Sequence, residues 1–271
     1  MKLLTLGIIA FTLSYGAGYF NSRATSKRAV TFVPGSTYTP KPGRYLSGKQ
    51  LLRVALIDSG VDLEKMQQAG VPLCLGGHYN AITQAESMVP DFVDGIGHGT
   101  VMAKAIHSRA KGSSYCIEVI KVFPDAFDEG SEDDYLVFVA RALRHAIKTN
   151  VNVINMSYRG PGYSHIEHSL LAKLSARHVI MFAAAGNESQ NLNNACLPFP
   201  ACYRDIPNLS AVGAKDEYET PAKYSNYGSM IKIWEYGQFE GQRGTSVSTA
   251  LATGELVRFW SEKLTQKRTK K

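Results

Sequence analysis

Four short segments carry side chains that together can perform acyl transfer. Val54-Ala55-Leu56-Ile57-Asp58-Ser59-Gly60 ends an apolar run on a carboxylate, and Gly97-His98-Gly99-Thr100 sets an imidazole between two glycines. Ala184-Ala185-Gly186-Asn187 offers a side-chain amide, and Gly244-Thr245-Ser246 offers a hydroxyl just before a helical pattern. A serine hydroxyl attacks a carbonyl only when a neighbouring base takes its proton. The oxyanion that then forms needs preorganised donors. Taken singly, three of the segments have plainer readings. Asp58 suits a turn, Asn187 suits a turn after glycine, and Ser246 suits a helix N-cap. Glycine on both sides of His98 gives nothing to a core, so that segment resists a purely structural explanation. The combination points to hydrolytic chemistry.

Such groups react only if the fold brings them together. Short β-branched runs at Leu52–Ile57, Ile117–Val122, Val151–Met156, His178–Ala184 and Leu209–Val212 read as strands covered on both faces. Helical patterns alternate with them. Glu132–Thr149 places Leu136, Val139, Leu143 and Ile147 on one face, with acids first and His/Lys late, as a helix dipole prefers. Ser164–Arg177, His98–His107 and Ser246–Trp260 complete the helices. This alternation predicts an α/β fold, doubly wound, with a mostly parallel central sheet and helices on both faces. Open sheets of this kind bind ligands at the carboxyl ends of their strands, where Asp58 and Asn187 fall.

The chain has 271 residues and a formal charge of +7, but the charge is unevenly placed. Residues 1–50 hold seven Lys/Arg and no acid, and residues 263–271 hold five and no acid. Residues 51–262 therefore carry 18 basic against 23 acidic side chains, a net of −5. That excludes a nucleic-acid footprint on the folded part. Residues 1–22 contain an uncharged apolar run from Leu3 to Phe20 and read as a signal peptide or an N-terminal membrane anchor. The expected location is outside the cytoplasm, secreted or periplasmic, with membrane association if the run is retained. Residues 23–50, rich in Pro, Gly and basic side chains, read as a linker; 51–262 as one catalytic domain; 263–271 as a basic tail. Four cysteines in an exported chain suggest disulfides, with three pairings open. Cys196 with Cys202 is the first choice across a short loop, leaving Cys74 with Cys116, and four free thiols are the alternative. No Cys-x-x-Cys spacing supports zinc. His165 and His168, three apart on a helix, suit a solvated face better than a metal.

The four segments resemble the subtilisin-like serine proteases, matching in the order Asp, His, Asn, Ser. Val153-Ile154-Asn155-Met156-Ser157 is similar to the family strand ending at the substrate cleft. Tyr224-Ser225-Asn226-Tyr227-Gly228 is similar to its Phe-Ser-Asn-x-Gly segment. The likeness runs from Leu51 to about Trp260, and the chain order differs from that of α/β-hydrolases. It implies an endopeptidase in which Ser246 is the nucleophile, His98 the base, Asp58 its orienting partner and Asn187 an oxyanion donor. It also implies that Ser157, Tyr158, Arg159 and Gly160 pair with an extended peptide, and that Ala184, Ala185 and Gly186 wall the pocket before the scissile bond. No metal or other cofactor is expected, a structural calcium ion is left open, and a monomer acting on peptide or protein substrates is expected.

The chain departs from the family pattern. Val247-Ser248-Thr249-Ala250 stands for the usual Met-Ala-x-Pro, Val101-Met102 for His-Val, and Lys104 for Gly. Tyr158-Arg159 replaces a common Leu-Gly, so Arg159 is expected either to select acidic side chains or to swing into solvent. The linker is expected to be too short for a folded pro-domain. These departures keep an alternative function open: a catalytically silent domain serving as a peptide-binding or structural module.

Overall fold

Along Leu52–Asp58 the side chains alternate between two buried faces, and this alternation organises the molecule. Val54 and Leu56 join a core with Met102, Ile106, Leu251 and Val257, whereas Ala55 and Ile57 join another with Leu143, Leu171 and Leu174. The central strand is thus covered on both sides, as its apolar run requires. The computed structural model describes residues 31–32, 51–90, 93–125, 132–160 and 162–268. The signal or anchor segment 1–22 lies outside the described residues. Among those described, no helix is long and apolar enough to cross a membrane.

The strands are β1 (Thr31–Phe32), β2 (Leu52–Asp58), β3 (His78–Asn80), β4 (Ala85–Ser87), β5 (Tyr115–Lys121), β6 (Val153–Met156), β7 (Ile180–Ala184), β8 (Leu209–Lys215), β9 (Ile233–Tyr236), β10 (Gln238–Phe239) and β11 (Gln242–Arg243). The helices are α1 (Leu63–Ala69), α2 (His98–Ala110), α3 (Glu132–Lys148), α4 (His165–Ala176) and α5 (Thr245–Arg268). The sheet order is β1-β9-β8-β7-β6-β2-β5-β3-β4, antiparallel only at its two outer pairs. The expected doubly wound, mostly parallel α/β fold is therefore present. The chain winds to β5 on one side of β2 and then crosses to β6 on the other. Asp58 ends β2 at that switch point, where the loops diverge and leave a crevice.

Each strand and helix expected from the sequence is present, with ends moved by at most three residues, except that the last helix runs eight residues past Trp260. Ser164 caps α4 through Glu167 N, as a serine before a helical run should. Several elements were not foreseen. Helix α1 is bounded by Asp62, which accepts from Lys65 N, and by Gly70 in the left-handed region; both signals were present in the sequence. Thr31 and Phe32, within the stretch read as linker, pair with Trp234 and Ile233 on the open edge of β9. Six residues of the expected basic tail, 263–268, continue α5. Lys, Gln and Arg are good helix formers, and extending a helix is far easier than nucleating one.

Two disulfides join Cys74 to Cys116 and Cys196 to Cys202, the pairing expected from the sequence. The first closes a separation of 42 residues and the second one of 6. Loop-closure entropy makes the longer loop the stronger constraint on the unfolded chain. Removing Cys74–Cys116 by double serine substitution should cost about 4 kcal/mol, against about 2 kcal/mol for Cys196–Cys202. Urea unfolding of the two variants measures both, and a larger loss from the shorter loop would contradict the expectation.

Candidate active site

Asp58 and His98, 40 residues apart, meet because α2 begins directly above the end of β2. The Nδ1–H of His98 donates to Asp58 Oδ1 at 2.7 Å, and Ser59 N donates to the same oxygen at 2.8 Å. Both side chains are buried. Gly99 explains the glycine after the histidine: a Cβ there would lie 2.2 Å from Gly60 O and 3.2 Å from Asp58 Cβ. Any side chain would force α2 off the strand end and break the pair. Burial works against a charged imidazole, yet the Asp58 charge, the hydrogen bond to it and the Asp94 charge outweigh burial. Together they hold His98 above its ordinary value.

Asp94 belongs to this arrangement although the sequence reading passed over it. Gly97, the N-cap of α2, has no side chain to satisfy the first N–H groups. Asp94 supplies the missing acceptor, taking bonds from Gly97 N at 2.8 Å and Thr100 N at 2.7 Å. Ser59 Oγ donates to Asp94 Oδ1 at 2.7 Å and accepts from Gly99 N at 2.9 Å, linking the helix start to the Asp58 turn. Buried Lys121, at the end of β5, spends its three protons on Ser59 O, Val93 O and Asp125 Oδ1. The readable signal was a carboxylate four residues before His98.

Ser246 lies in the first turn of α5, and α5 packs tightly on α2. At Gly254 an added Cβ would sit 2.2 Å from Ile106 O, so glycine lets the two helix backbones approach. A buried polar chain ties this helix to the sheet: Thr253 Oγ1 donates to Asn155 Oδ1, and Asn155 Nδ2 donates to Ser157 Oγ. Ser157 Oγ in turn donates to Ser246 O at 3.0 Å, while Ser246 Oγ donates to Ser157 O at 3.1 Å. Asn187 Oδ1 accepts from Thr245 N at 2.8 Å and Thr245 Oγ1 at 3.0 Å. That fixes the amide, and among the described residues no hydrogen-bond partner is seen for Nδ2.

The expected cleft residues divide. Tyr158 is buried, its ring against Phe123 and Tyr135, so only its backbone can meet a ligand. Beneath it lies buried Glu167, which accepts from Tyr203 Oη at 2.8 Å; burial pushes its carboxyl up to about 7. Gly160 N already donates to Phe199 O, and Gly186 N to Thr245 Oγ1. Those two backbone donors are thus already engaged within the chain. Arg159 meets a carboxylate of its own chain, Nε lying 3.4 Å from Glu188 Oε1. Ala184 and Ala185 are buried at the end of β7. His168 bonds Asp205 rather than pairing with His165. Among the described residues no group of three or more His, Cys, Asp or Glu could hold a metal. A depression at the opposite end of the strands, lined by Leu51, Arg53, Cys74, Asn152 and Trp260, includes none of Asp58, His98, Asn187 and Ser246.

A sequence profile of the subtilase family matches residues 50–270. Subtilisin amylosacchariticus of Bacillus subtilis subsp. amylosacchariticus is 28% identical over 225 residues, covering 75% of this chain and 54% of the relative. Subtilisin-like protease 2 of Trichophyton verrucosum is 26% identical over 229 residues, covering 83% of this chain and 49% of the relative. The chain spans about half the length of these curated relatives. A solved lanthipeptide protease shares the fold with a TM-score of 0.63 at 22% identity, covering 79% of this chain and 74% of that one.

Proposed function

The chain belongs to the subtilase family, and from that premise we propose that it is a serine endopeptidase in which Asp58, His98 and Ser246 form the reacting triad. The observation that carries this reading is the buried 2.7 Å bond from His98 Nδ1 to Asp58 Oδ1 at the switch point of the sheet. With Nδ1 holding the proton, Nε2 is the basic nitrogen. It takes the proton of Ser246 Oγ as that oxygen attacks a peptide carbonyl, and Asp58 stabilises the imidazolium. The oxyanion accepts from Asn187 Nδ2 and from Ser246 N at the start of α5, where the helix dipole favours negative charge. His98 then protonates the leaving amine, and water repeats the sequence on the acyl-enzyme. Residues 157–159 pair with the extended peptide, and the 184–186 segment walls the pocket. As a substrate amide takes Ser157 O, the Ser246 hydroxyl is released toward His98. The proposed chemistry uses side chains, backbone and water. Two disulfides support an exported protein, since they persist in oxidising compartments.

A second reading, a silent peptide-binding domain, draws on the Ser246 hydroxyl being turned to Ser157 O. A fluorophosphonate probe separates the two without a known substrate. The enzyme reading expects stoichiometric labelling of Ser246 in the folded protein and none after denaturation. Absence of labelling in folded protein would overturn it.

The oxyanion role has its own test. Replacing Asn187 by Ala should lower kcat by about 10²–10³ with little change in KM, because the lost bond strengthens only as the oxyanion forms. A rise in KM alone would assign Asn187 to ground-state binding.

A further inference from the structure

Segments 157–160 and 185–188 leave the sheet side by side, following the parallel strands β6 and β7, with Met156 in register with Ala183. Ser246 lies between them through its bonds to Ser157, while Asn187 holds Thr245. Arg159 and Glu188 join the two segments, their side chains 40% and 29% exposed. Glu188 is held in place: its Oε2 accepts from Asn226 Nδ2 at 2.6 Å, and Asn226 Oδ1 accepts from Glu188 N and Gln190 N. Asn226 is fully buried, so this support is rigid. An ion pair as exposed as Arg159–Glu188 contributes little to folding. Its position suggests what it does instead.

We propose that the Arg159–Glu188 pair is a charge-balanced bar across the pocket for the side chain preceding the scissile bond, selecting small uncharged side chains there. The proposal rests on the protease reading. An entering carboxylate would draw Arg159 but face Glu188; an entering ammonium would draw Glu188 but face Arg159. Either charge gains one attraction and meets one repulsion. A large apolar side chain would strip water from both charged groups without replacing their hydrogen bonds. A small uncharged side chain disturbs neither partner.

Neutralising one partner should therefore expose the other. The test is a fluorogenic peptide series identical except for Ala, Leu, Glu or Lys before the scissile bond, read as kcat/KM. The unaltered protein should favour Ala over Leu, Glu and Lys. Glu188→Gln should raise the Glu-to-Lys ratio on the order of 10- to 100-fold, the size of one charge-assisted hydrogen bond, and Arg159→Gln should lower it by a similar factor. The double variant should return the ratio to near its starting value. Preference of the unaltered protein for a charged or large residue overturns the proposal without any variant being needed. So does a ratio that moves less than about twofold in both single variants. Fluorophosphonate labelling of the unaltered protein distinguishes the failures. Without labelling, the protease reading and this inference fall together; with labelling and an unmoved ratio, only the bar is wrong.

Discussion

Replacing Ser246 by alanine should abolish fluorophosphonate labelling and reduce hydrolysis of a generic unfolded protein by about 10⁴-fold or more. The hydroxyl oxygen is the one protein atom in the proposed mechanism that bonds to the substrate carbon, so no other side chain in the site can replace it. Its loss should leave the fold intact. The start of α5 is anchored by the backbone and side chain of Thr245 on Asn187 and by Ser157 Oγ on Ser246 O, all of which survive the substitution. Among the described residues the substitution removes one bond, from Ser246 Oγ to Ser157 O. A net change within about 1 kcal/mol is expected for one such bond. Unfolding midpoints and turnover, measured at matched purity, separate the two effects. Equal activity in both proteins would end the protease reading.

Replacing Asp58 by asparagine should be nearly as damaging, about 10⁴-fold in kcat at neutral pH, because the amide can hold the imidazole in the wrong tautomer. It should also move the pH profile, which a purely structural defect would not. His98 serves as base only when neutral, and Asp58 and Asp94 hold it above its ordinary value against the opposing effect of burial. The acidic limb of kcat/KM should therefore lie above about pH 6.5 in the unaltered protein. Without the carboxylate, burial still opposes the imidazolium while its main partner is gone, so the limb shifts to lower pH. Stability follows the same linkage. A histidine raised on folding stabilises the fold fully below its unfolded value, near 6.5, and that contribution fades as pH rises through the folded value. Asp58→Asn should remove it, most visibly on the acidic side. An unmoved limb would show that Asp58 does not govern His98.

The sequence by itself determined the fold class and the identities of the four candidate groups. Runs such as Leu52–Ile57 can only be satisfied between two apolar layers, and strands alternating with helices leave little besides a parallel sheet. Some local chemistry was legible too: Ser164 opens a helical run, whereas Asp62 and Gly70, which bound the unforeseen short helix, carried signals that were left unread. What only the tertiary structure decided were contacts between residues distant in the chain, since no periodicity encodes them. Thr31–Phe32 pairs with β9 because an open edge lies within reach. Asp94 becomes the acceptor for α2 because Gly97 cannot be one. Tyr158, placed in the cleft by its position, turns inward because Phe123 and Tyr135 offer it a buried aromatic site. Arg159 read as a lone charge beside the peptide, yet β6 and β7 run side by side and bring Glu188 to it. An ion pair 29 residues apart in sequence depends on which strands are neighbours, and strand order is a property of the folded sheet rather than of any single segment.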